Sequence, residues 1–217
     1  MLMQKRHIGL GAGMFAAVTL TAAALISSTA AGETPVVLET LDVAPAFSGV
    51  TSKGETVSLE DFAGQTVVLE WTNHGCPFVQ KHYDPGHSNM QGLQAAARED
   101  DIAWLTVISS APGKQGHVSG ERADELTETR GASPQHVILD EDGEIGRAFG
   151  ARTTPHMYVI SPDGALAYKG AIDSIASARS SDIPRATNYV AAALDALESG
   201  RPAEPARTKA YGCSVKY

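Results

Sequence analysis

The sequence predicts an α/β domain with a central mixed β-sheet flanked by helices. Three observations carry this. Apolar, β-branched runs recur at Thr66–Trp71, Ile102–Ile108, His136–Leu139 and His156–Ile160. Segments with helical spacing or helix-end signals lie between or after them. The last run is followed by the tight-turn sequence Pro162-Asp163-Gly164, which predicts a closing β-hairpin.

The elements follow in chain order. Pro45-Ala46-Phe47 starts an extended piece, and Gly54 turns it back into Thr56–Leu59, an amino-terminal hairpin. Thr66–Trp71 is apolar throughout except for Glu70, as expected of a strand buried on both faces. From Cys76-Pro77 to about residue 99 the chain reads as helix, interrupted at Asp84-Pro85-Gly86. Met90, Leu93, Ala96 and Ala97 carry the helical spacing of its second half. Ile102–Ile108 is the second central strand. Residues 109–120 are rich in Gly, Ser and Pro and form a loop. Glu121–Thr129 is a short polar helix, His136–Leu139 a third strand and Glu144–Phe149 a short helix. His156–Ile160 and Ala165–Tyr168 flank the Asp-Gly turn. Pro184–Ser199 reads as a final helix, with Pro184 in its first turn and Gly200 behind it.

Residues 1–31 have the layout of a cleavable secretory signal. Lys5 and Arg6 precede an uncharged stretch from Ile8 to Ile26, and the small residues Ser27–Ala31 follow. An uncleaved membrane anchor is the alternative. The expected organisation is a signal peptide at 1–31, one domain at 32–200 and a tail at 201–217 carrying Cys213. Loss of the leader would reduce the 17 Lys and Arg by two, to 15 against 25 Asp and Glu. A chain this acidic argues against nucleic acid or an anionic membrane as partner. The expected location is periplasmic or secreted, with no membrane attachment after cleavage.

Two cysteines, Cys76 and Cys213, make up the thiol complement. Cys76 falls just after a strand and just before a helix, in "WTNHGCPFV". Unpaired N–H groups and the positive end of the helix dipole there favour the thiolate, which is the reactive form. Pro77 suits the first helical position. His74 can add positive charge or relay a proton. Read structurally, Cys76 is instead a buried thiol or half of a permanent staple.

The whole pattern resembles the thioredoxin fold, in the branch shared by peroxiredoxins and exported thioredoxin-like reductases. Its carriers are Pro45–Gly64, "WTNHGCPF" and "TTPHMYVISPDGALAYKG" from Thr153 to Gly170. With "GCPFVQKHY" and "YGCSVKY" it is most similar to a redoxin-like bacterial group of the alkyl hydroperoxide reductase/thiol-specific antioxidant type. The resemblance implies a cis Pro155 beside Cys76, with Thr154 and Arg152 as neighbours of the sulfur. His156 can face either way. Two departures stand out. Position 79 is Val, so the usual second cysteine of a C-x-x-C pair is absent. Asn73 and Leu69 occupy the positions of a peroxiredoxin's Thr and Pro.

The implied activity is thiol-dependent disulfide or peroxide reduction through Cys76, with no cofactor and no metal. Substrates are a disulfide-bearing protein or a small peroxide, and a thiol electron donor resets the enzyme. Cys213, beside Gly212, is placed to resolve the intermediate. A static bridge to Cys76 and a bridge across a dimer are the other readings. Two other functions compete: copper held by His74, Cys76, His82, His87 and Cys213, or a redox-inactive groove at Pro155 that binds a partner peptide.

Overall fold

A computed structural model describes residues 42–217, so the signal-peptide and lead-in readings for the first 41 residues lie outside the described residues. A hairpin comes first, β1 (Ser48–Thr51) and β2 (Thr56–Ser58), followed by a 3₁₀ turn at Leu59–Phe62. Then come β3 (Val67–Trp71), α1 (Pro77–His82), α2 (Asn89–Glu99), β4 (Ala103–Ile108), α3 (Gly120–Thr129), β5 (His136–Leu139) and α4 (Glu144–Phe149). The chain continues through β6 (Thr153–Thr154), β7 (His156–Ile160), β8 (Leu166–Gly170), a 3₁₀ segment at Ser180–Arg185, α5 (Tyr189–Glu198) and β9 (Cys213–Ser214).

Seven strands make the main sheet in the order β2-β1-β5-β4-β3-β7-β8. β3, β4 and β5 are parallel, and β7 runs antiparallel to β3. The sheet is therefore mixed, as the apolar runs predict. All five residues of β3 are buried, because both faces of this central strand are covered. Alternation divides the core in two. Leu69, Trp71, Leu105, Val107, Phe149 and Tyr158 pack on one face. Val68, Trp104, Met157 and Val159 pack on the other, with Cys76, Val79, Met90, Ala97 and Val190 from α1, α2 and α5.

The Asp-Gly turn forms where expected. Gly164 takes φ +83°, a left-handed conformation that a side chain disfavours. The last helix departs from expectation. It starts at Tyr189, and Pro184 lies inside the preceding 3₁₀ segment. Asn188 is the stronger start signal, since its Oδ1 accepts from the amides of Val190 and Ala191, both at 3.1 Å.

Residues 201–217 fold back along the domain. Ala206 O accepts from Lys169 N and Thr208 N donates to Lys169 O, at 3.0 and 3.1 Å, along the free edge of β8. Thr208 Oγ1 also accepts from Ala171 N at 2.9 Å. At the far end, Val215 N donates to Arg152 O at 3.0 Å and Tyr217 OH donates to Ala151 O at 2.8 Å. Among the described residues no helix is long and apolar enough to cross a membrane.

The capping assignment is testable. Asn188→Ala is expected to cost about 1 kcal/mol of unfolding free energy, read by denaturant titration. Pro184→Ala should leave helix content by circular dichroism unchanged.

Candidate active site

Cys76 is the N-cap of α1, with φ −84° and ψ 121°, and Pro77 is the first helical residue. The turn before it is braced from the side. Asn73 exchanges hydrogen bonds with Gln115: its Nδ2 donates to Gln115 Oε1 at 2.9 Å and its Oδ1 accepts from Gln115 Nε2 at 3.0 Å. Asn73 Oδ1 also accepts from Gly75 N, and Asn73 O from Cys76 N, each at 3.0 Å. Asn73 thus fixes the loop, and its amide is committed to Gln115.

The Thr154–Pro155 peptide is cis. It brings β6 against the amino end of α1, and the Cys76 thiol donates to Thr154 O at 3.1 Å. The second cysteine arrives on the tail. β9 pairs antiparallel with β6, placing Cys213 opposite Thr154 and Ser214 opposite Thr153. Gly212 makes this approach possible. It adopts φ +130°, and a Cβ there would collide with the Thr154 carbonyl. Cys76 is left with no exposed surface, while Cys213 is half-buried. Both are free thiols.

The electrostatics separate the two sulfurs. Burial pushes the Cys76 thiol up, but hydrogen bonds to its charged form outweigh this and hold it below the ordinary thiol value. The groups that favour it are the side chains of Cys213 and Thr154 and the backbone N–H groups of Cys213 and Val79. The Thr154 hydroxyl is buried and has no hydrogen-bond partner. Cys213 moves the opposite way. Burial, then its hydrogen bond to Cys76 and the charge there, push it up to about 11. The pair therefore loses its first proton from Cys76 and keeps the second on Cys213.

The structure thus brings Cys76, Cys213, Thr154 and Pro155 together. His74 and Arg152 are not among the groups that shift Cys76. Burial and the charges of Arg130 and Arg122 lower the His74 pKa, which disfavours its cationic form. The Arg152 side chain is exposed, and its charge acts on His156, Tyr158 and Lys169. His156 faces the other side of the sheet. Its Nδ1 lies 3.2 Å from Tyr158 OH, and burial drives its pKa down to about 3. The proposed copper ligands do not converge. His82 is buried against Asp173 and Asn89, His87 pairs with Asp84, and no group of three or more His, Cys, Asp or Glu among the described residues could hold a metal ion.

One buried carboxylate stands on the strand that leads to Cys76. Glu70, six residues before Cys76, is fully buried on the Cys76 face of β3. It accepts from Tyr83 OH at 2.8 Å, Trp104 Nε1 at 3.1 Å and Gln94 Nε2 at 3.3 Å. Burial raises its pKa against these bonds. Its signal was a lone acid inside an otherwise apolar strand.

These features define a thioredoxin-like redoxin domain. The chain belongs to the AhpC/TSA family, which it matches over residues 40–169. Cys213 lies beyond that match. No curated protein matches the chain. Among solved structures it is similar to a conserved protein from Geobacillus kaustophilus, at 25% identity and a TM-score of 0.69, covering 82% of this chain and 92% of that one. It is also similar to a protein from Sinorhizobium meliloti 1021, at 18% identity and a TM-score of 0.66, covering 82% and 94%. The thioredoxin domain of a thiol-disulfide oxidoreductase from Bacteroides vulgatus aligns at 23% identity and a TM-score of 0.48, covering 61% and 88%.

Two outcomes test this site. Gly212→Ala should lift the tail and speed iodoacetamide alkylation of Cys76 about tenfold, read by mass spectrometry, with the core fold retained. Cys213→Ala removes a side chain that favours the Cys76 thiolate. Since only the thiolate reacts, the midpoint of the alkylation pH profile should move to higher pH than in the wild type.

Proposed function

We propose that this protein is an exported thiol-disulfide oxidoreductase whose working couple is Cys76 and Cys213. The observation that carries the reading is the pairing of β9 with β6, which sets Cys213 opposite Thr154, the residue whose carbonyl accepts from the Cys76 thiol at 3.1 Å. A nucleophile whose ionisation is favoured and a second thiol that keeps its proton thus meet at one strand pairing.

The reaction follows from this placement. The Cys76 thiolate attacks one sulfur of a substrate disulfide, forming a mixed disulfide and releasing the other sulfur as thiolate. Cys213 then loses its proton and attacks the Cys76 sulfur. The Cys76–Cys213 bond forms and the second substrate thiol leaves. The substrate gains two electrons and two protons, and a thiol electron donor returns the protein to the dithiol.

Peroxide is the second substrate class, favoured by membership of the AhpC/TSA family. There the thiolate attacks one peroxide oxygen, the other leaves as alcohol or water, and Cys213 displaces water from the resulting sulfenic acid. Disulfide exchange is preferred because Asn73 is bonded to Gln115 and Arg152 is exposed. Neither supports a peroxide at the sulfur. Export rests on the secretory layout of residues 1–31 and suits a thiol couple working where disulfides persist.

The test uses wild type, Cys76→Ser and Cys213→Ser with a model disulfide and with hydrogen peroxide. Wild type should consume the disulfide and accumulate one intramolecular bridge. Cys213→Ser should stall as a mixed disulfide, and Cys76→Ser should be inert. Full turnover of both substrates by Cys76→Ser would end this reading.

A further inference from the structure

The redox step leaves one buried charged cluster without a role. Lys81 and His82, on the second turn of α1, have no exposed surface, and Asp173 is nearly as buried. Lys81 Nζ lies 2.7 Å from Asp173 Oδ2 and donates to Ile175 O at 3.1 Å. His82 Nε2 is 3.8 Å from the same carboxylate, and its Nδ1 is 2.9 Å from Asn89 Nδ2. Burial drives the His82 pKa down to about 4, so at neutral pH its imidazole is uncharged.

The remaining member comes from the tail. Tyr211 OH donates to Asp173 Oδ1 and lies 3.5 Å from both Lys81 Nζ and His82 Nε2. Its ring stands edge-on to Phe78 at 5.8 Å, and Lys81 Nζ sits 5.7 Å from its centroid. Tyr211 is two residues before Cys213, and Phe78 is two residues after Cys76. A buried ion pair adds little net stability, but it imposes geometry on what bonds to it. β6–β9 spans only two residues and would by itself hold its register weakly.

We propose that Tyr211, through its hydroxyl in the Lys81–Asp173–His82 cluster, is the positioning residue that holds Cys213 against Cys76 and thereby sets the strength of the disulfide between them. The proposal rests on the Cys76–Cys213 couple described above. The balanced equilibrium is Cys76–Cys213 disulfide plus two glutathione thiols giving the dithiol plus glutathione disulfide, with two electrons and two protons passing to the protein. Its constant measures the effective concentration of Cys213 at Cys76. Clamping the tail raises that concentration without any new bond to sulfur.

The experiment equilibrates wild type, Tyr211→Phe and Cys213→Ser in graded glutathione buffers, traps the thiols and counts them by mass. Tyr211→Phe keeps the ring against Phe78 and removes only the hydroxyl, and thermal unfolding confirms its fold. The expected result is an intramolecular disulfide about tenfold less stable, about 30 mV more oxidising. The midpoint of Cys76 alkylation against pH should rise with it, a change that ring packing alone would not produce. A wild-type constant and midpoint in Tyr211→Phe overturn the latch and leave the redox couple standing. A wild type that forms no exchangeable bridge, like Cys213→Ser, overturns both.

Discussion

The site depends on two residues of main-chain pairing, Thr154 against Cys213 and Thr153 against Ser214. This contact brings together two sulfurs that begin 137 positions apart in the chain. It also covers Cys76 and Thr154, both of which are buried. The main sheet contributes by holding α1 and β7 in a fixed relation through β3, so that the helix end and the cis-proline loop meet.

The ionisation of the two thiols comes from a balance of opposing effects. Burial alone would keep both thiols protonated. The Cys213 and Thr154 side chains and the amides of Cys213 and Val79 favour a charged Cys76, whereas Cys213 meets burial and the negative charge of its neighbour. The asymmetry lies in the surroundings of the two sulfurs. A helix end supplies one amide, the tail supplies a thiol and an amide, and the cis-proline loop supplies a hydroxyl.

The central strands were legible because long β-branched runs buried on both faces leave few other readings. The two-residue strands β6 and β9 were not, since nothing in so short a stretch shows a period. Pro184 misled because it satisfies the rule for a first helical residue, yet the chain there makes a 3₁₀ turn and Asn188 supplies the cap. Cys76 was conspicuous from its place before Pro77. Lys81, Asp173 and Tyr211 were not, because charged and phenolic side chains on short elements read as solvated surface. Only the fold brings residues so far apart in sequence to one buried point. The same holds for Asn73 and Gln115, which sit in separate loops.

One edge of β6 is already occupied by residues of this same chain. An extended foreign polypeptide taking that edge along Thr153–Thr154 would evict Cys213, and Cys213 could return only by evicting the visitor. Small disulfides, which need no such berth, face no eviction step. Turnover of large and small substrates would then differ in kind: strand replacement limits the first, sulfur chemistry the second.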